Sequence, residues 1–147
     1  MAGDETSQIH ATCVVLGGKG ALLRGEPGAG KSDLALRFLS MFAGDGAALV
    51  ADDQTVLSRE GGRLYAHAPK ATAGLIEVRG IGIVEVAHLA RTELVLVAEL
   101  ATGEEIERLP DPAPRTTLLG VEVPLVRLAA FEASAPVKLK IALTGKP

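Results

Sequence analysis

The stretch of the sequence with the clearest chemical capacity is a glycine-rich octapeptide, Gly25-Glu26-Pro27-Gly28-Ala29-Gly30-Lys31-Ser32. It satisfies the pattern G-x-x-x-x-G-K-[ST] at every fixed position, and this pattern is typical of loops that bind the phosphates of nucleotides such as ATP. Its glycines allow backbone torsions that other residues avoid, so that consecutive N–H groups can turn toward one phosphate oxygen. We expect Lys31 to reach the β- and γ-phosphates and the Ser32 hydroxyl to be a ligand of Mg²⁺.

The segments on either side of the octapeptide favour a nucleotide-binding loop over an ordinary glycine-rich turn, which is the alternative. Residues 21–24 are mostly apolar and predict a β-strand. Residues 33–42 predict a helix, because Leu34, Phe38 and either Met41 or Phe42 recur at helical spacing. A helix that begins at such a loop adds unpaired N–H groups and the positive end of its dipole. Strand, loop and helix in this order are the context that the motif requires.

A second candidate site is the acidic pair Asp52-Asp53, which follows a short apolar run at residues 47–51. A continuous apolar run of this length predicts a buried strand that delivers both carboxylates at its C-terminal end. Ligands gather at that edge in open α/β sheets. The pair is therefore placed to meet Mg²⁺ and a reacting hydroxyl near Lys31. The alternative is that both aspartates begin a solvated turn, or that one of the two is only structural.

The composition indicates one domain with an aliphatic core. The chain has 147 residues, of which 48% are hydrophobic and only 3% aromatic, and this length is enough to bury a core. We expect a single domain over residues 1–147, with residues 1–8 disordered. The single cysteine, Cys13, lies in an apolar run, so we expect a core side chain rather than a catalytic thiol.

Charge and hydropathy exclude several classes of partner. The formal net charge of -3 argues against a general nucleic-acid binder, which needs a basic face. Residues 1–8 lack the basic and apolar regions of a signal peptide. No uninterrupted apolar stretch is long enough to span a bilayer. We therefore expect a cytoplasmic protein with neither nucleic acid nor membrane as a partner.

The remaining segments predict mostly β structure, and so an α/β fold with a mixed sheet and β-hairpins. Two hairpins are expected, one from residues 9–16 with 21–24 and one from residues 54–58 with 63–67. Further extended segments are expected at residues 76–86, 92–100, 116–128 and 137–143. A short helical turn is expected at residues 71–75. The longest irregular region is expected at residues 102–114, which is rich in proline.

A wider set of residues, taken in order along the chain, resembles a known family. The set comprises His10, the octapeptide, Leu49-Val50-Ala51-Asp52-Asp53, Ala68-Pro69 and Glu77-Val78-Arg79-Gly80-Ile81-Gly82-Ile83. It is similar to the kinase domain of the bacterial HPr kinase/phosphorylases, and especially to the short forms found in alphaproteobacteria. The phosphate loop alone is shared by a vast superfamily, whereas its combination with A-D-D and E-x-R-G-x-G-I is specific. The resemblance covers roughly residues 9–86.

The resemblance implies a fold, an activity and partners. The implied fold is a phosphate-loop nucleotide-binding domain akin to phosphoenolpyruvate carboxykinase. The implied activity is phosphorylation of a serine of the phosphocarrier protein HPr, with ATP and Mg²⁺ as cofactors. In many members the phosphate is also removed by phosphorolysis, in which inorganic phosphate is consumed and pyrophosphate is formed. A homo-oligomer is a further expectation.

The resemblance also implies roles for single residues. Asp53 is the expected base that takes the proton from the serine hydroxyl, and His10 is expected beside it. Lys31 is expected to hold the transferring phosphates. Ser32 and Glu77 are expected to serve the metal.

Two further residues complete the candidate site. Asp52 is a further candidate metal ligand, from its place in the acidic pair. Arg108, in the sequence Glu107-Arg108-Leu109, resembles a family arginine that steadies the transferred phosphoryl group.

Two other functions stay open from the sequence alone. One is a small-molecule kinase built on the same loop, and the other is a nucleotide-sensing module without catalysis. Residues 136–140 also depart from the family's pattern in the region associated with dephosphorylation. The reverse reaction and the oligomeric state therefore stay open as well.

Overall fold

The computed structural model describes residues 5–147, and within that range it contains two α-helices and eleven β-strands. Neither of these helices is long and apolar enough to cross a membrane. The helices are α1 (Lys31–Met41) and α2 (Ala135–Thr144). The strands are β1 (Glu5–Ile9), β2 (Thr12–Leu16), β3 (Lys19–Arg24), β4 (Ala48–Ala51), β5 (Thr55–Glu60), β6 (Arg63–His67), β7 (Leu75–Val78), β8 (Gly82–Glu85), β9 (Thr92–Leu100), β10 (Arg115–Leu118) and β11 (Val121–Leu128).

Nine of these strands form one mixed sheet, and β7 and β8 form a separate hairpin. The main path of the sheet is β1-β5-β6-β9-β3-β2-β4, with β11 beside β9 and β10 beside β11. β3, β9 and β11 are parallel to one another. β4 has the same direction, because β4 and β3 are both antiparallel to β2. The C-terminal ends of β4, β3, β9 and β11 therefore lie at one edge of the sheet, where α/β folds bind ligands.

Apolar side chains pack on both faces of the sheet. One cluster joins both helices to the sheet and includes Leu23 of β3, Phe38 of α1 and Leu139 of α2. The cluster on the opposite face includes Leu22 and Cys13. Successive residues of a strand point to opposite faces, so Leu22 and Leu23 serve different clusters. Cys13 is fully buried, which confirms a core side chain, and this burial raises the pKa of its thiol and so disfavours the reactive thiolate.

Most of the predicted elements are confirmed. The helix after the phosphate loop, the strand at residues 92–100 and the two hairpins β2–β3 and β5–β6 lie where the sequence places them. The region between β9 and β10 is irregular except for a short 3₁₀ turn at Gly103–Glu105. The predicted turn after Pro69 is a 3₁₀ turn at Lys70–Thr72.

Three predictions about strands near the site need correction. Residues 9–16 are not one strand, because β1 pairs with β5 whereas β2 pairs with β3. The expected disorder at residues 1–8 is wrong for residues 5–8, which belong to β1 through that pairing; residues 1–4 lie outside the described residues. Residues 76–86 are a hairpin rather than one extended segment, because the chain turns at Gly80 with a φ of 87°.

The extended segment predicted at residues 116–128 is instead the antiparallel hairpin of β10 and β11. The predicted strand at residues 137–143 is also wrong, because these residues belong to α2. Their apolar residues alternate as in a strand, but Ala135, Leu139 and Leu143 also recur at helical spacing and are buried together. Pro136 in the first turn and Gly145 in the left-handed conformation after the last turn are typical helix boundaries. These boundary residues fit the helix, and the common burial of Ala135, Leu139 and Leu143 against the core decides between the two periodicities.

We expect Leu139→Ala to lower the free energy of unfolding by about 2–5 kcal/mol, because it leaves a cavity beneath α2. Ile141→Ala is the matched control, since Ile141 is 41% exposed and its truncation should cost less than about 1 kcal/mol. Urea unfolding followed by circular dichroism measures both values. Equal losses would contradict the helix, because a strand would place residues 139 and 141 on the same face.

Candidate active site

The phosphate loop occupies residues 25–30, between the end of β3 and the start of α1. A hydrogen bond from the Ala29 N–H to the Glu26 carbonyl, 2.9 Å long, closes its turn. Gly28 and Gly30 have φ values of 82° and 101°, a region that L side chains rarely adopt. A side chain at Gly30 would also place its Cβ 2.8 Å from Cζ of Phe131. The loop therefore needs these two glycines in order to turn its N–H groups toward a phosphate.

Lys31 is the first residue of α1, and its side chain folds back over the loop. Its ammonium donates to the carbonyl oxygens of Gly25 and Glu26, at 2.9 and 3.2 Å. The residue is buried, so the charge is fixed rather than free to sample solvent. A cation held at this point can stabilise the charge on transferring phosphates without reorganisation.

Asp52 is a buried carboxylate with three donors. Its Oδ1 accepts from the hydroxyls of Ser32 and Thr12, at 2.6 and 3.0 Å. Its Oδ2 accepts from the backbone N–H of Glu77 at 3.1 Å. Buried carboxylates are tolerated when such bonds replace their hydration. Asp52 therefore joins α1, β2 and β7 at a single point.

Asp53 follows directly and presents its carboxylate outward. Its φ of 70° lies in the left-handed region, which aspartate adopts more readily than most residues. The backbone N–H of Asp53 donates to the Thr12 hydroxyl at 3.1 Å. The side chain of Asp53 is 63% exposed, and Nε2 of His10 donates to its Oδ1. A strained backbone that holds an exposed carboxylate against a histidine is typical of a functional position.

A cavity of about 380 Å³ brings most of the predicted site residues together. Its volume is within the usual range for small-molecule sites. His10 and Asp53 line it, as do Lys31 and Ser32 of the phosphate loop, and Glu77 joins them from β7. Asp52 reaches this group through its bond to the Ser32 hydroxyl. The remaining lining residues are Pro27, Gly28, Gly30, Asp33, Leu36, Val78, Arg79 and Phe131.

The structure does not bring Arg108 to this cavity. Arg108 is exposed in the irregular region between β9 and β10. That region leaves β9 at the same sheet edge as the phosphate loop, but the cavity lining does not include Arg108.

The donor set fits Mg²⁺ as part of a nucleotide complex. The Ser32 hydroxyl donates its hydrogen bond to Asp52, so the lone pairs of its oxygen are left for a cation. Glu77 adds a carboxylate at the cavity wall. Within residues 5–147, no cluster of three or more acidic, histidine or cysteine side chains is arranged to hold a metal alone. Mg²⁺ commonly binds through one or two protein oxygens together with phosphates and water, and such binding needs no preformed cluster.

Sequence reasoning missed two residues of this site. Thr12 begins an apolar strand, and a single hydroxyl residue beside that apolar run is all that the sequence shows of its role. Phe131 lies far along the chain from every motif and reaches the phosphate loop only through the pairing of β11 with β9.

Comparisons with known proteins agree with this geometry. The family model described as HPr Serine kinase C-terminal domain matches residues 3–139. An HPr kinase/phosphorylase of Chlorobium phaeobacteroides is 38% identical over 136 residues, which cover 84% of this chain and 41% of that protein. An HPr kinase/phosphorylase of Bordetella pertussis is 34% identical over 134 residues, which cover 84% of this chain and 42% of that protein. The chain thus spans about two-fifths of the length of these curated relatives.

A solved structure gives the same fold. The Hpr(Ser) kinase/phosphatase from Coxiella burnetii matches with a TM-score of 0.76 and 28% identity, over 91% of each chain. The fold is therefore the α/β phosphate-loop fold akin to phosphoenolpyruvate carboxykinase, with a mixed sheet and β-hairpins.

We expect Thr12→Val to remove the hydrogen bond that holds the backbone of Asp53. The valine has a similar shape but no hydroxyl, so Asp52 loses one donor and the Asp53 N–H loses its acceptor, at a cost of about 1–3 kcal/mol in the free energy of unfolding. Amide hydrogen exchange of Asp53, measured by NMR, should become faster. Thr12→Ser is the control, because it keeps the hydroxyl and should leave this exchange slow. Equal exchange in the two variants would contradict the bond.

Proposed function

The chain belongs to the HPr serine kinase C-terminal domain family, and we propose that it is an ATP- and Mg²⁺-dependent protein serine kinase that phosphorylates HPr. The proposal rests on one observation: three groups line the same cavity, namely the phosphate-loop lysine Lys31, the Ser32 hydroxyl and the exposed carboxylate of Asp53. The names of the similar proteins, HPr kinase/phosphorylase, support HPr as the acceptor.

The phosphate loop and Lys31 bind and align the nucleotide in this proposal. The loop N–H groups at the start of α1 hold the phosphates, and the Lys31 ammonium neutralises charge on the transferring group. Ser32 and Glu77 would hold Mg²⁺. Asp52, which the sequence also offers as a ligand, would instead orient the Ser32 hydroxyl that donates to it. When bound, Mg²⁺ would offset the negative charge that develops on the phosphate oxygens.

Asp53 is the base of the forward reaction. The serine oxygen of the acceptor forms a bond to the γ-phosphorus, the bond from that phosphorus to the ADP oxygen breaks, and the serine proton passes to the Asp53 carboxylate. His10 donates a hydrogen bond to Asp53 and thereby fixes the direction in which the carboxylate faces. The exposure of Asp53 and His10, 63% and 52%, supports an acceptor as large as a protein.

The same groups support phosphorolysis in the reverse direction. An oxygen of inorganic phosphate attacks the phosphorus of phosphoserine, the serine oxygen leaves with a proton from Asp53, and pyrophosphate is the second product. We assign no role in transfer to Arg108, because it does not line the cavity. We propose a cytoplasmic location, where ATP and Mg²⁺ are available.

Transfer from γ-labelled ATP with Mg²⁺ tests the proposal directly. The acceptors are purified HPr and a copy in which the regulatory serine is alanine. We expect label on the wild-type acceptor alone, and loss of that label as pyrophosphate when inorganic phosphate is added. ATP binding without transfer to HPr would contradict the proposal and favour a nucleotide sensor. Transfer to a metabolite but not to HPr would instead favour a small-molecule kinase.

We expect Asp53→Asn to slow transfer to HPr by about 10²–10⁴-fold, because an amide cannot take the serine proton. ATP affinity should stay unchanged, since the variant leaves the phosphate loop intact. Single-turnover transfer and equilibrium nucleotide binding measure the two quantities. Asp45→Asn, at an exposed carboxylate paired with Lys140, is the control and should transfer at the wild-type rate. An active Asp53→Asn enzyme would exclude Asp53 as the base.

A further inference from the structure

Phe131 is an exposed aromatic side chain at the wall of the active-site cavity. The other two phenylalanines, Phe38 and Phe42, are buried in the core, whereas Phe131 is 71% exposed. Phe131 lines the same cavity as the phosphate loop. A large apolar ring that faces a ligand cavity rather than the core has contact area available for a ligand.

The backbone around Phe131 is fixed to α1 by one arginine. Arg37 donates to the carbonyl oxygen of Ala130 and, at 3.3 Å, to that of Glu132. The Arg37 Nε also donates to Asp33 at 2.9 Å, one turn earlier in α1. The bonds to Ala130 and Glu132 lie on either side of Phe131, so the backbone that carries the exposed ring is held in place. It rests on the phosphate loop, where a Cβ at Gly30 would lie 2.8 Å from the ring.

The sheet topology puts Phe131 and Asp53 on opposite sides of the phosphate loop. β2 and β4 lie on one side of β3, and Asp53 follows β4. β9 and β11 lie on the other side of β3, and Phe131 follows β11. Because β4, β3 and β11 end at the same edge, the loop after β3 lies between the two residues.

We propose that Phe131 is the platform on which the base of the bound nucleotide stacks. This inference rests on the proposed function for the binding of a nucleoside triphosphate. Ser32 donates to Asp52, which follows β4, so a metal at the Ser32 hydroxyl and the β- and γ-phosphates bound to it would lie on the β4 side of the loop. The nucleoside end would then point to the opposite side, where Phe131 lies. Stacking uses the face that every base presents, so the contact favours nucleotides over bare phosphates without selecting one base.

Binding of ATP and of inorganic triphosphate to the full chain tests this inference. We expect Phe131→Ala to weaken ATP binding by about 5- to 100-fold, the range that loss of base–aromatic stacking gives, and to leave triphosphate binding unchanged. Titration calorimetry measures both affinities. The melting temperature should not change, because the side chain is exposed.

Phe131→Trp is the conservative variant. It should keep the wild-type affinity for ATP, since indole also stacks on bases. The chain contains no tryptophan, so the new indole is the only one, and its fluorescence should change with ATP but not with triphosphate.

Two results would overturn the inference. The first is an ATP affinity of Phe131→Ala equal to that of the wild type; a higher KM for HPr in that variant would then assign the ring to protein docking. The second is a loss of ATP and triphosphate affinity by the same factor, which would mean that the ring supports only the loop. A wild-type chain that binds ATP but transfers no phosphate would overturn the proposed function and leave the stacking intact.

Discussion

The site depends on the hydrogen bonds that the buried carboxylate of Asp52 accepts. A buried charge is costly unless hydrogen bonds replace its hydration, and Asp52 obtains them from Ser32, Thr12 and the backbone N–H of Glu77. Each donor belongs to a different element, so the carboxylate fixes the distance between the start of α1, strand β2 and the β7–β8 hairpin. The phosphate loop and the hairpin thereby meet at one cavity.

The opposite environments of two adjacent aspartates follow from this constraint. The chain leaves β4 at Asp52 and turns at Asp53 with a positive φ, so the first carboxylate lies inside and the second reaches the surface. The Thr12 hydroxyl bonds to both residues, to the side chain of Asp52 and to the backbone of Asp53. One strand end thus places an inner carboxylate against the Ser32 hydroxyl and an outer carboxylate at the exposed wall of the cavity.

The sequence could predict the parts of the site that local patterns encode. The motif identifies the phosphate loop, and a continuous apolar run identifies the buried strand before Asp52-Asp53. Both lie where predicted. Thr12 and Phe131 could not be found in this way, because their contacts depend on strand pairings between distant segments. Residues 137–143 satisfied the period of a strand and that of a helix, and only their packing against the core decides for α2. Arg108 is in an irregular region that the motif pattern cannot locate in space.

The Mg²⁺ dependence of phosphoryl transfer in Asp52→Asn tests the central claim most directly. If Asp52 orients the Ser32 hydroxyl toward the metal, the Mg²⁺ concentration for half-maximal transfer should be about 10- to 100-fold higher in Asp52→Asn. Losses of this size are typical when a residue that hydrogen-bonds to a metal ligand is replaced. ATP binding measured without metal should stay close to the wild-type value. An unchanged Mg²⁺ dependence in a folded Asp52→Asn variant would contradict the account.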